Sequence, residues 1–177
     1  MADVVGLVQE TAKRIQDLPA DTPAETVMAT ANAGFGAVTL AAAVLRGNSP
    51  ASRADEFGAI ALSVVAANER ISEVVDEDLV DAALDERMVA LLSDAENLAR
   101  IRASSRWLRE AATHTAAVTH TALTELARSE SASPEIRDIA DLTAGIAENI
   151  TVLLDVRAET RAERTVLAAK IIEAMTG

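Results

Sequence analysis

The chain has 177 residues, enough for one domain with a sizeable core, and half of them are apolar although only two phenylalanines and one tryptophan are aromatic. The net charge of −12 argues against nucleic acid as a partner, because phosphate binding needs a basic footprint. The absence of cysteine excludes disulfides and thiolate metal sites.

The 38 alanines favour helices that approach one another closely, and no strand pattern competes with them. The first expected helix covers residues 3 to 18. Its start, MADVVGLVQETAKR, lacks a basic segment ahead of an apolar one, so a secretory signal is not expected and the cytoplasm is the expected location. Thr22-Pro23-Ala24-Glu25 then reads as an N-cap, a proline at the first helical position and a capping-box glutamate. The helix it opens should run to about Arg46, with Gly47 as the stop.

That second helix contains TVMATANAGFGAVTLAAAVL, twenty residues without a charge. Its length would suffice for a membrane span. Its threonines, asparagine and glycines dilute the apolar residues below what insertion requires, so the expectation is a central helix wrapped by its neighbours, with no membrane partner. Gly34 and Gly36 inside it suggest a close approach by another backbone or by a ligand.

Ser49-Pro50 opens a third helix, whose apolar Phe57, Ile60, Val64, Ile71 and Val74 follow helical spacing. Asp76-Glu77-Asp78 suits a break or a new N-terminus. The segment 79 to 129 is one kinked helix or two, with a capping box at Ser93-Asp94-Ala95-Glu96. Ser133-Pro134-Glu135 opens the last helix, expected to reach about Met175. The prediction is a single all-α domain over residues 1–177, an antiparallel bundle of five or six helices joined by short turns.

If the flanking helices form a hairpin about residues 129 to 133, paired positions sum to about 263. This sets Arg102, Arg106 and Arg109 opposite Asp155, Glu159 and Glu163. The arginines then have two readings: complementary charged stripes that fix register, or an anion site for a carboxylate or phosphate ligand. His114 has Glu110 one turn before it and, by the same register, Glu148 and Asn149 across the hairpin. It reads either as a solvated or hydrogen-bonded histidine or as a ligand or general-base residue. His114 and His120 stand about 120° apart around a helix, so they do not easily share a metal, and no metal site is expected. No phosphate loop, dinucleotide fingerprint or nucleophile elbow occurs.

Several segments, taken in order, resemble the methenyltetrahydrofolate cyclohydrolase and formiminotransferase-cyclodeaminase family. DTPAETVMATANAGFGAV stands where that family has a glycine-rich loop and a small-residue helix. DAALDERMVA matches its Asp-Ala run in spacing through Asp81, Ala82, Met88 and Val89. SRWLREAATHTAAVTHTALTELA looks like its Lys-Glu-Ala-Ala helix, and SPEIRDIADLTAGIAENITVLLDVRAE places Asp138 on its aspartate. The resemblance implies an all-helical homodimer. It also implies C–N bond chemistry on a folate-like small molecule without metal or other cofactor, with Asp81 and Asp138 as acid–base or orienting residues and the arginines toward a glutamate tail. The family's glycine triplet is Ala24-Glu25-Thr26 here, its lysine would fall near Gly47-Asn48 and is absent, and its phenylalanine is Asp85. The alternative expectation is therefore a non-catalytic helical homo-oligomer, a structural or interaction module.

Overall fold

The computed structural model describes residues 4–47, 51–76, 78–79 and 105–154. Five helices account for most of these: α1 (Val4–Gln16), α2 (Ala24–Gly47), α3 (Ala51–Ser72), α4 (Ser105–Ala127) and α5 (Pro134–Leu154). No strand occurs among the described residues, and the all-α bundle expected from composition is what forms.

Helix α2 is the hub and touches the other four helices. Its buried positions include Met28, Ala29, Ala31, Phe35, Val38, Leu40, Ala41 and Leu45, which point in nearly every direction around the axis. The positions that escape full burial inside it, Asn32, Gly36, Thr39 and Ala43, recur at intervals of three or four and form one narrow stripe. A single dry face would leave half the helix exposed; here 72% of the most apolar window is inside the protein. The helix is long and apolar enough to cross a bilayer by length and composition, and its burial is that of a core helix.

The helix ends follow from local chemistry. At α5 the Ser133 hydroxyl accepts from the Ile136 N–H at 3.3 Å and the Ser133 carbonyl accepts from the Arg137 N–H at 3.0 Å, so Ser133 is the cap and Pro134 the first helical residue. At α2 the expected cap is displaced by one residue. The Thr22 hydroxyl and N–H both donate to the Pro19 carbonyl, at 2.6 and 3.0 Å, and the first helical bond runs from Val27 N–H to the Pro23 carbonyl at 3.1 Å. Two prolines four residues apart hold a tight turn that takes the threonine for its own closure. After α3, the Asp76 carboxylate accepts from the Asp78 N–H at 3.1 Å, so the expected acidic break is an Asx turn.

Helices α4 and α5 form the expected hairpin. The carbonyl of Ala144 can only accept, so His120 donates to it through Nδ1–H at 3.0 Å, within a residue of the register the turn predicts. Helix α1 lies alongside α4, and the buried Thr115 hydroxyl shares its proton between the Ala111 carbonyl of its own helix at 2.8 Å and Val8 of α1 at 3.2 Å.

The buried polar groups are handled locally. Thr11, Thr30, Thr115, Thr119 and Thr143 are all buried, and each donates to the carbonyl four residues before it. An unsatisfied buried hydroxyl costs about 1–3 kcal/mol; back-bonding removes that cost without a partner helix. This is how an alanine-rich core admits threonine.

Asp81, Arg102, the capping box at 93 to 96, and Asp155, Glu159 and Glu163 lie outside the described residues, as does the expected course of the last helix beyond Leu154.

Candidate functional site

The residues that sequence reasoning selected do not converge among the described positions. Arg106 and Arg109 were expected to share a charged stripe with Arg102. Arg106 is exposed, and its Nε donates to Glu110 Oε1 at 3.0 Å. Arg109 is only 8% exposed and lies over the Phe57 ring of α3, its guanidinium carbon 5.6 Å from the ring centroid. The reason is the position of the apolar face. Leu108, Ala111 and Ala112 are buried, and Arg109 stands beside them, where its aliphatic stem covers α3. The two side chains thus serve different surroundings.

His114 is exposed. Glu110, its candidate carboxylate, is engaged by Arg106, and no hydrogen bond joins His114 to Glu148. Asp138 is exposed one turn into α5 and lines a shallow groove of about 430 Å³ with Thr124, Arg128, Arg137 and Asp141. Arg137 Nε is buried there without a hydrogen-bond partner. No group of three or more histidines or carboxylates suited to a metal ion occurs among the described residues.

A different site emerges at the same end of the bundle. The C-terminus of α1, the 17 to 23 turn and the last two turns of α4 enclose a cleft of about 400 Å³. Its floor is aliphatic, from Ile15, Leu18, Val27 and Leu126. Its rim is polar, with Thr121, Glu125 and the mutually hydrogen-bonded Ser129 and Ser131, whose hydroxyls are 2.8 Å apart. Pro19 lines the cleft from within the short connection between α1 and α2, whose φ angles the two prolines at 19 and 23 restrict. The cleft's volume falls within the range of small-molecule sites, and its lining is about equally polar and apolar.

Sequence reasoning missed this cleft because its lining comes from three separated segments, none carrying a motif. The signal that was present is the pair of prolines at 19 and 23, spaced to make a rigid elbow rather than a direct helical turn.

No protein-family model, curated protein or solved structure matches this chain.

Proposed function

We propose that this chain is a small-molecule-binding helical bundle whose ligand enters the cleft between the α1–α2 turn and the end of α4. The observation that carries this reading is the cleft itself: an aliphatic floor beneath a single carboxylate, Glu125, which makes no ion pair among the described residues. The family resemblance supplies the ligand class, a reduced folate. The pterin head of a folate presents N–H donors along one edge, and a carboxylate is an acceptor only, so Glu125 suits the head while the charged tail stays outside.

Calorimetric titration with tetrahydrofolate tests this. Wild-type protein is expected to give a saturable heat, and Ala122→Trp, which fills the cleft from its α4 wall, is expected to abolish it. No heat at millimolar ligand counts against the folate class, and equal heat in the filled variant counts against the cleft.

A second reading, a homo-oligomeric interaction module, is favoured by the outer face of α5. Leu142, Val152 and Leu153 are 51%, 54% and 41% exposed, while the neighbouring Ile139 and Ile146 pack partly against the core. Large apolar side chains in such a group commonly mark an interface. Leu142→Glu with Leu153→Glu is expected to convert a dimer to a monomer in sedimentation velocity; a wild-type chain that sediments as a monomer at high concentration removes this reading.

A further inference from the structure

The hydrogen-bond state of the cleft rim restricts the charge of what it can hold. The Thr121 hydroxyl donates to the Ala117 carbonyl at 3.0 Å, and the Thr22 hydroxyl to the Pro19 carbonyl at 2.6 Å. One of Ser129 and Ser131 must donate to the other. The threonines therefore turn only lone pairs toward a ligand. Glu125 adds a carboxylate, the one charged side chain among the residues lining the cleft. No lysine, arginine or histidine lines it. The donors there are the Gln16 carboxamide and the one serine proton left over; against them stand the hydroxyl lone pairs and the single charge of Glu125, in a chain of net charge −12 whose field draws cations.

Resting on the cleft reading above but departing from its folate ligand class, we propose that the site selects a small organic cation, a primary alkylammonium whose N–H donors meet Glu125 and the rim hydroxyls while its aliphatic body lies on Ile15, Leu18, Val27 and Leu126. An ammonium has three donors and no acceptor, the complement of this rim. A carboxylate ligand would face the like charge of Glu125 with no cationic side chain in the lining to offset it, and be rejected. A neutral alcohol of equal length has one donor and no charge, and falls between them.

The test uses the full chain, labelled with ¹⁵N, titrated at constant ionic strength with hexylammonium chloride, hexan-1-ol and sodium hexanoate. The three probes share a tail and differ only in the head. Hexylammonium is expected to shift the amides of residues 15–22 and 118–131 saturably, hexanol to bind roughly tenfold or more weakly, and hexanoate to leave them unmoved. Glu125→Gln, an exposed change that leaves the fold intact, is expected to bring the ammonium down to the level of the alcohol.

Hexanoate binding as well as hexylammonium, or an unchanged preference in Glu125→Gln, overturns the cation assignment and leaves the cleft as a site of another selectivity. Shifts scattered over acidic surfaces away from the cleft also overturn it. Failure of all three probes to move the cleft amides also overturns the cation assignment, while the tetrahydrofolate titration and Ala122→Trp decide the cleft reading separately.

Discussion

Gly34→Ala lowers the unfolding free energy by about 1–2 kcal/mol, although alanine is the better helix former. At the middle of α2 a β-carbon on residue 34 would overlap the Thr119 hydroxyl of α4 and come within 2.8 Å of Ile15 Cδ1 of α1. Three helices meet at this residue, and only a hydrogen fits between them. Replacing an interior helical glycine normally gains about 0.5–1 kcal/mol. Overpacking a filled core costs about 1–3 kcal/mol, and here it outweighs that gain. The Ile15 end is flexible and can rotate away. Thr119 cannot, because its hydroxyl is held at 2.8 Å on the Thr115 carbonyl and the side chain is buried. Thr119→Ala removes the obstructing oxygen, so the Gly34→Ala/Thr119→Ala pair should be more stable than the two single losses predict. Urea unfolding of the four proteins reads this coupling, expected at about 1–2 kcal/mol. Strict additivity would mean that the helices separate at little cost and that the crossing is loose.

Phe35→Ala should have a larger effect, a loss of about 3–5 kcal/mol, because it empties the largest fully buried side chain among the described residues. The surrounding core is built mainly from alanine, valine and leucine on five helices, and small rigid side chains have little freedom to fill a phenyl-sized hole. Against the roughly 5–15 kcal/mol typical of a domain, this is a large fraction. Trp107→Ala is the internal comparison. The tryptophan is larger, yet it is 60% exposed on α4, and its loss should stay within about 0.5 kcal/mol. Thermal and urea unfolding rank the two. A tryptophan effect equal to that of Phe35 would place the core on the wrong side of α4.

The fold was legible where the sequence used strong local signals. Ser133-Pro134 fixed the start of α5 to the residue, since a proline at the first helical position and a serine before it have few other uses. The short connection after α4 fixed the hairpin register closely enough to pair His120 with the neighbourhood of Ala144. The uncharged stretch was recognisable as a core helix because its glycines and threonines suit helix contact better than lipid.

The candidate site was much less legible. Arg102, Arg106 and Arg109 invited a common role from their spacing. Spacing gives the angle around the helix and says nothing of which angle is covered, and the apolar neighbours Leu108 and Ala112 drew Arg109 inward. Thr22 matched a capping box by composition, but its N–H and hydroxyl both close the turn on the Pro19 carbonyl, and the first helical bond is accepted by Pro23 instead. The cleft is lined from α1, the 17 to 23 turn and α4, and the prolines at 19 and 23 mark the turn without encoding how those three segments meet.

The claim on which the rest depends is that α2 is the protein's own interior. Native-state hydrogen exchange of the full chain, in aqueous buffer without detergent or lipid, tests it most directly. The amides of residues 28–45 should exchange only through global unfolding, with the slowest rates in the molecule, and Phe35→Ala should accelerate them by the full loss of stability. A chain that stays dispersed only in detergent, or α2 amides that exchange as fast as those of the 17–23 turn, would contradict it.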